Sequence, residues 1–517
     1  MSAAEEGLVD NTLLSHWLPE DEAPWRLDFE RWPQAQAQRW RAVLAVSGDG
    51  RAMLLSERDP DWMLLQSVES RLQSPVRWMR CDATAVERWL GTGEAGFRAL
   101  SDVAEDVGTA DTSSDTEELS VLRISEQASP VMRLLNATLY DALQDGASDV
   151  HIECTARGAS IRFRVDGVMA AVRTIEGAAV AEQLVSRLKV MAELDIGERR
   201  LPQDGRFKLK VQGREVDFRL SIMPSVFGED AVVRVLDRAR LELVAGQLTL
   251  DALGFDAEER AAIRQQARQP HGMLLVTGPT GSGKTTTLYA TLAEIHTGTD
   301  KIITIEDPVE YQLNGVVQIP VNEKKGLTFS RGLRSILRHD PDRVMVGEIR
   351  DAETAQIAVQ AALTGHLVFS TVHANNAFDV IGRFMHMGLD LYNVVSSINA
   401  VLAQRLVRLV CSHCARPIEP SAAQLARHGI SAADGRFLRG DGCGHCRGTG
   451  YRGRRAVAEL LRLDDGLRDL IAARAPMSQI KEAARERGMR PLRAMTLQSV
   501  CRGETTFEEL ERVTLDE

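Results

Sequence analysis

The stretch Gly278-Pro-Thr-Gly-Ser-Gly-Lys-Thr285 decides the fold, because it fits the phosphate-loop pattern G-x-x-x-x-G-K-[ST] without a mismatch. The glycines let backbone N–H groups turn toward a phosphate chain, and a following helix adds partial positive charge at its N-terminus. Lys284 can reach the β- and γ-phosphates of ATP, and Thr285 can ligate Mg²⁺. The predicted nucleotide contacts are Gly278, Pro279, Thr280, Gly281, Ser282, Gly283, Lys284, Thr285 and Thr286.

Apolar segments and helical patterns alternate around this loop. Residues 273–277 predict a strand before it, and residues 285–296 predict a helix after it. Further strands are predicted at residues 301–305, 343–346 and 366–372, with helices between them. This alternation is typical of a largely parallel sheet flanked by helices, here from about residue 241 to residue 410.

Candidate catalytic side chains follow these predicted strands. Glu306 and Glu310 come just after the strand at 301–305, Glu348 after the strand at 343–346, and His373 after the strand at 366–372. The carboxyl ends of parallel strands gather ligands, so Glu348 is placed either to polarise water or to serve the metal, because Gly347-Glu348 stands where a Mg²⁺-ligating Asp is usual; His373 is placed to sense or contact a γ-phosphate. A surface ion pair is the alternative for each carboxylate, and a structural role for the histidine.

Several longer stretches resemble the secretion ATPases of type II secretion and type IV pilus assembly. They are LRSILRHDPDRVMVGEIRDAETAQIAVQAALTGH (333–366), LAQRLVRLVCSHC (402–414), SDVHIE (148–153), RLPQDGRFKL (200–209) and VDFRLSIMPSVFGED (216–230). The resemblance covers about residues 120–460, whereas residues 1–100 match loosely. It implies an α/β multidomain protein with a RecA-like P-loop ATPase core, preceded by an α+β (PAS-like) domain and assembled into a homo-hexamer.

The resemblance also implies roles for single residues. Glu306 to Glu310 correspond to the family's acidic box, Gly347-Glu348 to its atypical second nucleotide motif, and Thr371 and His373 to its histidine box. Arginines that meet phosphate across subunit boundaries correspond by position to Arg219, Arg234, Arg334 and Arg338. Such guanidiniums neutralise the charge that develops in phosphoryl transfer; structural salt bridges are the alternative for each.

Residues 121–240 have a period of two rather than a helical period. Ile161, Phe163 and Val165 alternate with Arg162 and Arg164. A helix at 181–194 is expected to cover one face of the resulting antiparallel sheet. The dipeptides at 166–167 and 204–205, both Asp-Gly, predict hairpin turns.

Two C-x-x-C pairs, Cys411/Cys414 and Cys443/Cys446, predict a structural zinc site, since four thiolates in a reducing compartment suit tetrahedral Zn²⁺. His413 and His445 could replace a cysteine as ligands. Thiol redox chemistry is disfavoured, because no thioredoxin-like pattern frames the pairs and the second pair would be unexplained. In the resembled family, this tetracysteine insert is typical of secretion and assembly motors rather than of retraction motors.

The N-terminal segment differs from the rest in composition. Residues 1–120 contain 23 Asp and Glu, 11 Arg, no Lys and all seven Trp, a net charge of −12, whereas residues 121–517 carry +1. Strand and helix patterns alternate within residues 51–90, which predicts a small α/β domain at 1–100. The resemblance implies that this domain docks to a partner, and a role of the tryptophans in filling a small core is the alternative. Residues 101–120 predict an acidic linker, with a surface loop as the alternative. The remaining predicted units are the α+β domain at 121–240, the ATPase domain at 241–410, the cysteine module at 411–455 and helices at 456–517.

Composition and charge exclude several classes of protein. No apolar run reaches the length of a membrane span, and no leader pattern opens the chain, so a cytoplasmic protein is expected. The near-neutral charge of residues 121–517 disfavours binding to nucleic acid. The leading hypothesis is a hexameric ATPase motor that meets the inner membrane through platform and docking proteins of a secretion or pilus system. A nucleic-acid translocase and a nucleotide-binding scaffold without turnover are the alternatives.

Overall fold

A computed structural model describes residues 25–29, 31–48, 50–60, 62–72, 74, 76–96, 118–119, 129–211, 214–236 and 248–514. The chain divides into two compact units, Met1–Ala239 and Arg240–Glu517, which we describe in turn. The predicted acidic linker lies outside the described residues, apart from residues 118–119. Within the described ranges, every helix is too short or too polar to cross a bilayer.

The first part of unit one is a four-stranded sheet with helices. Its elements are β1 (Trp25–Leu27), α1 (Gln34–Trp40), β2 (Ala42–Ser47), β3 (Ala52–Ser56), α2 (Trp62–Leu72), β4 (Arg77–Arg80) and α3 (Ala83–Gly96). The strand order is β1-β2-β3-β4, and only β3 and β4 pair in parallel. Trp32 and Trp89 are fully buried in its core, whereas Trp62 is 71% exposed and Trp78 is 44% exposed. The tryptophans thus divide between core filling and an exposed surface.

The second part of unit one is a seven-stranded sheet covered by a helix. Its elements are β5 (Glu118–Leu119), α4 (Pro130–Gln144), β6 (Asp149–Thr155), β7 (Gly158–Val165), β8 (Val168–Glu176), α5 (Ala178–Met191), β9 (Gln203–Val211), β10 (Arg214–Ser225) and β11 (Gly228–Leu236). The order is β5-β9-β10-β11-β6-β7-β8, antiparallel except where β5 meets β9. Leu184 and Leu188 of α5 share a buried core with Phe163 and Phe218. This is the α+β arrangement that the period of two predicts.

The two predicted hairpin turns have different outcomes. Asp166 and Gly167 have φ of 49° and 83° and join β7 to β8, so the first turn is confirmed. The second prediction is wrong, because residues 204 and 205 lie inside β9 and pair with β10. A Cβ on Gly205 would lie 2.9 Å from Ala192, just after α5, so this glycine permits close packing rather than a turn.

Unit two is built on a seven-stranded sheet in the order β14-β13-β15-β16-β12-β17-β20. Its first elements are α6 (Ala257–Ala267), β12 (Gly272–Thr277), α7 (Lys284–Ile295), β13 (Ile302–Glu306), β14 (Val317–Pro320), α8 (Phe329–Ile336), β15 (Arg343–Val346), α9 (Ala352–Leu363), β16 (Leu367–Val372), α10 (Asp379–His386), α11 (Leu391–Ser397) and β17 (Ile398–Val410). All pairs among these strands are parallel, as predicted. Strands β12, β13 and β16 are buried throughout, as is β15 after the half-buried Arg343, with one apolar cluster on each face of the sheet.

The remaining elements change the predicted boundary at 455. They are β18 (Ala415–Pro417), α12 (Ala422–Arg427), β19 (Leu438–Gly440), β20 (Tyr451–Arg462), α13 (Asp465–Ala472), α14 (Met477–Glu486), α15 (Leu492–Cys501) and α16 (Phe507–Val513). Strand β20 pairs antiparallel with β17 along its length, so the main sheet resumes after the cysteine segment. The sequence prediction had divided this strand between the cysteine module and the C-terminal helices.

Candidate active site and metal centre

The phosphate loop connects the end of β12 to the start of α7. Gly278 and Gly283 have φ of 146° and 82°, backbone that an L side chain would strain. A Cβ on Gly278 would also lie 2.5 Å from the carbonyl oxygen of Gln404. The Oγ of Ser282 is buried and has no hydrogen-bond partner within the described residues. A phosphate oxygen would satisfy this buried hydroxyl, so the loop fits the nucleotide that its sequence predicts.

Lys284 lies folded over this loop. Its ammonium donates to the carbonyl oxygens of Gly278, at 2.9 Å, and of Pro279, at 3.0 Å. Burial lowers the pKa of Lys284, the carboxylate of Glu348 opposes that effect, and the guanidinium of Arg405 adds to it. A partly buried cation between these groups is a suitable partner for a phosphate anion.

Glu348 and His373 meet beyond the carboxyl ends of two neighbouring strands, β15 and β16. The Nε2 of His373 lies 3.6 Å from Oε2 of Glu348, whose Oε1 is 2.5 Å from Nη2 of Arg350. Thr371 donates to the carbonyl oxygen of Gly347 at 2.7 Å and so ties the loop that carries Glu348 to β16. Burial and the nearby Lys284 lower the pKa of His373, while Glu348 raises it, so the net effect favours the neutral imidazole.

Glu306 occupies a different environment from the one predicted for a catalytic acid. It is 2% exposed, and its carboxylate accepts hydrogen bonds from Tyr289, from Thr304 at 2.5 Å and from Gln318 at 3.1 Å. Tyr289 belongs to α7, so this network joins the phosphate-loop helix to β13. Glu310 is exposed, and its backbone N–H donates to the same tyrosine at 3.3 Å.

The two predicted arginines of unit two lie on or just after α8. Nη2 of Arg334 is 2.7 Å from Oε1 of Glu353 on α9. Arg338 is exposed and donates to the carbonyl oxygen of Arg334 at 2.8 Å. Arg334 thus forms a structural salt bridge, which was the alternative to a contact with phosphate, whereas Arg338 is exposed.

The two predicted arginines of unit one are cross-strand neighbours. Arg219 on β10 pairs with Arg234 on β11, so both side chains share one face of the sheet. Nε of Arg234 donates to Oδ1 of Asp149 at 2.9 Å, and the guanidinium stays 56% exposed. The exposed guanidinium of Arg234 is therefore accessible to an anion, whereas Arg219 is half-buried.

Sequence reasoning missed two residues of β17 that contact the phosphate loop. Gln404 is 1% exposed; its Nε2 donates to the carbonyl oxygen of Ser282 and its Oε1 accepts from Thr287, each at 2.7 Å. Arg405 donates to the carbonyl oxygen of Asn375 at 2.7 Å, and its Nη1 would lie 3.3 Å from a Cβ on Gly278. The signal was a Gln-Arg pair directly after the four apolar residues 400–403, which is unusual within a buried strand.

The four predicted zinc ligands converge in space. Their sulfurs lie within 4.8 Å of one another, with separations of 3.9 Å (Cys411–Cys443), 3.6 Å (Cys414–Cys446) and 3.7 Å (Cys443–Cys446). A tetrahedral site with Zn–S bonds of about 2.3 Å requires edges of about 3.8 Å. All four cysteines are free thiols. The donor set therefore fits Zn²⁺.

Backbone N–H groups prepare this centre for a metal. Those of Cys443 and Gly450 donate to the sulfur of Cys446 at 3.1 and 3.3 Å. Burial raises the pKa of Cys446, but these hydrogen bonds outweigh it and the pKa falls to about 7, which favours the thiolate. The rings of His413 and His445 stack on each other with centroids 3.7 Å apart.

Comparisons with known proteins agree with this geometry. The family model described as "Type II/IV secretion system protein" matches residues 125–512. The chain is 47% identical over 427 residues to "Type II secretion system protein E" of Pseudomonas aeruginosa, covering 81% of this chain and 83% of that protein. It is 43% identical over 488 residues to "Type II secretion system protein HxcR" of the same organism, covering 94% of this chain and 99% of that protein. It is 47% identical over 395 residues to "Type II secretion system ATPase E" of Vibrio cholerae, covering 75% of this chain and 76% of that protein.

A solved structure supports the fold. The ATPase DotB of Legionella pneumophila aligns over 73% of this chain and 94% of its own, with a TM-score of 0.53 and 19% identity. The α/β multidomain fold with a P-loop ATPase core, predicted from sequence, is confirmed. Since the family model spans most of the chain and the relatives exceed 40% identity, the chain belongs to the type II/IV secretion system protein family.

Proposed function

We propose that this chain is an ATP-hydrolysing motor that powers type II secretion. The observation that carries the proposal is the position of Glu348. It lies beside His373, just beyond the carboxyl end of β15, in the sheet whose strand β12 leads into the phosphate loop. A carboxylate after a strand near the phosphate loop can orient and deprotonate water for attack on a γ-phosphate. The names of the relatives, which include a type II secretion ATPase, support secretion as the process that the motor powers.

In this proposal the phosphate-loop residues bind the nucleotide, and Glu348 and His373, which follow the strand ends, act on the attacking water. Backbone N–H groups of the loop and the ammonium of Lys284 hold the β- and γ-phosphates, while Gln404 fixes the carbonyl of Ser282. Thr285 would ligate Mg²⁺, which neutralises phosphate charge when bound. Glu348, whose Oε1 is paired with Arg350, accepts the proton of the attacking water, and the neutral His373 beside Oε2 adds no second positive charge.

Arginines complete the proposed charge balance. Arg219 and Arg234 are cross-strand neighbours on one face of their sheet and are the proposed donors to phosphate from a neighbouring subunit of a homo-hexamer. Arg338, exposed after α8, is a third candidate, whereas Arg334 would have to leave Glu353 first. Glu306 and Glu310 contribute through Tyr289 by holding α7 to β13.

We also propose that the four cysteines bind one structural Zn²⁺. The thiols link the segments that follow β17 and precede β20, so the metal would fix the cysteine module to the edge of the sheet. The acidic N-terminal region, with Trp62 and Trp78 exposed, is the proposed contact with a docking protein at the cytoplasmic face of the inner membrane. Membrane association would then run through partners.

Two measurements test the proposed function. The purified chain should hydrolyse ATP, and Lys284→Ala should abolish nucleotide binding; turnover should be unaffected by added DNA or RNA. In a secretion-deficient strain that lacks its own motor, the unaltered gene should restore export and the Lys284→Ala gene should not. Stimulation by nucleic acid would favour the translocase, and restoration of pilus assembly without export would favour a pilus motor.

A further inference from the structure

A second cavity lies at the edge of the main sheet opposite the phosphate loop. The loop follows the carboxyl end of β12, whereas this cavity is lined by Asn399, near the start of β17, and by Arg462, at the end of the antiparallel β20. Asn399 also donates to the carbonyl oxygen of His271, just before β12. The length of β12 separates the two edges by about 20 Å. The cavity is therefore distinct from the nucleotide site.

The cavity has the size and composition of a small-molecule site. Its volume is about 520 Å³, within the range of about 300–1,000 Å³ for ligand pockets. Leu461, Leu463 and Leu467 form an apolar floor and are buried in the core. Gln266 and Gln269, from α6 and the residues after it, add amide groups to the wall.

Positive charge dominates the lining. Arg462, Arg468 and Arg487 contribute three guanidiniums, and Asp464 contributes the only carboxylate among the described lining residues. Arg462 and Arg487 each use only some of their guanidinium N–H groups in hydrogen bonds to neighbouring residues. Arg462 donates through Nη2 to the carbonyl oxygen of Arg487 at 3.2 Å, and Arg487 donates through Nε to Asp464 at 2.7 Å and through Nη1 to Ala483 at 2.9 Å. The other N–H groups of Arg462 and Arg487 make no hydrogen bond to the described residues, so a ligand can accept from them.

Arg468 is held more firmly than the other two. It donates to the carbonyl oxygens of Val395 at 3.4 Å and Ile398 at 3.2 Å and to Asp465 at 3.2 Å. It thus supplies a fixed charge, while Arg462 and Arg487 supply donors. With Asp464 and Asp465 counted, the three guanidiniums leave one net positive charge. The planar donor forks of Arg462 and Arg487 above an apolar floor suit a phosphate group attached to a ring or alkyl body.

We propose that this cavity binds a phosphate-bearing small molecule and is a second anion site of the chain. The cavity volume of about 520 Å³ suits a small soluble ligand. Polar Gln266, Gln269 and Asn399 line it together with the arginines, so the walls are not the continuous apolar surface that lipid acyl chains would need. The site is independent of ATP hydrolysis at the phosphate loop.

The test uses the full-length Lys284→Ala chain, in which the phosphate loop is disabled. Equilibrium dialysis with labelled pyrophosphate, and separately with AMP, should detect one saturable site. Arg462→Glu in this background should weaken binding at least tenfold, whereas Arg439→Glu, at an exposed arginine of β19, should leave it unchanged. Asp464→Asn keeps a side chain that can cap α13 but removes the carboxylate, so it should tighten binding severalfold.

The tightening by Asp464→Asn cannot result from misfolding, which keeps the test decisive if Arg462→Glu folds poorly. No saturable binding of either probe would overturn the proposal, as would binding that neither lining variant changes. Arginine-dependent binding to phosphatidylglycerol vesicles, with no binding of pyrophosphate or AMP, would also overturn it in favour of a lipid surface site.

Discussion

The carboxylate of Glu348 and the imidazole of His373 lie 3.6 Å apart, although 25 positions separate them in the sequence. They meet because β15 and β16 are adjacent parallel strands, paired from Arg343 with Leu367 to Val346 with Ser370. The lowered pKa of His373 keeps this contact between a carboxylate and a neutral ring near neutral pH. The pair is therefore suited to polarising water rather than to forming a permanent ion pair.

Protonation of His373 should switch this site off. The pKa lies below its usual value of 6.5, so ATPase activity should be level near neutral pH and fall as the pH drops through the lowered value. The physical reason is that imidazolium would place a second positive charge beside Glu348, which already pairs with Arg350 through Oε1, and would engage Oε2 as well. His373→Gln should reduce kcat by about tenfold to a hundredfold and abolish this acidic limb. A pH profile of the variant that still follows the parent would contradict the assignment.

Gln404 should control nucleotide affinity through the phosphate loop. Gln404→Leu keeps the volume but leaves the carbonyl of Ser282 and the hydroxyl of Thr287 without their partner. Each unsatisfied buried group costs about 1–3 kcal/mol, so KM for ATP should rise about tenfold or more. Gln360→Leu, at an exposed glutamine of α9, is the matched control and should change nothing. Equal KM values in both variants would remove Gln404 from the site.

The cysteine module should contain zinc at about one ion per chain. Cys443→Ser should lose the metal and lower the melting temperature, because the metal would tie the segment after β17 to the segment before β20. The double variant His413→Ala/His445→Ala should retain the metal, since the four sulfurs already satisfy the tetrahedron. Elemental analysis of preparations made without chelator decides the matter. Zinc retained without Cys443, or lost without the two histidines, would refute the four-cysteine site.

Glu259 should make stability depend on pH. It is 8% exposed, and burial raises the pKa of its carboxyl to about 7, from a usual value of 4.5. Its stabilising contribution is thus complete below pH 4.5 and is lost as the pH rises to about 7. Glu259→Gln should raise the melting temperature relative to the parent by a few °C more at pH 8 than at pH 5. The neighbouring Glu258→Gln, 76% exposed, should show no such difference, and equal shifts in both variants would argue against the raised pKa.

The sheet of unit two could be predicted because its strands are continuous apolar runs. Burial on both faces leaves no other pattern for β12, β13, β15 and β16. Strand β20 was missed because Arg452, Arg454 and Arg455 interrupt its apolar pattern at the sheet's edge. The turn predicted at Gly205 was wrong because the sequence alone does not distinguish a glycine needed for close packing, here beside Ala192, from a glycine needed for a turn.

The candidate site could be predicted in part for a similar reason. Glu348 and His373 follow strand ends, and topology alone brings such residues together. Whether a carboxylate after a strand points to solvent or inward depends on side chains distant in sequence. Gln318 and Tyr289 enclose Glu306, and no pattern in the sequence around Glu306 predicts those contacts. Gln404 was missed because its partners in the phosphate loop are over 100 residues away.

The most direct test of the central claim compares nucleotide binding with hydrolysis in purified Glu348→Gln chain. Glutamine keeps the shape of the side chain but cannot accept a proton from water. The account predicts a Kd for ATP with Mg²⁺ within about threefold of the parent and a kcat lower by about a hundredfold or more. Hydrolysis at the parental rate would contradict the role of Glu348.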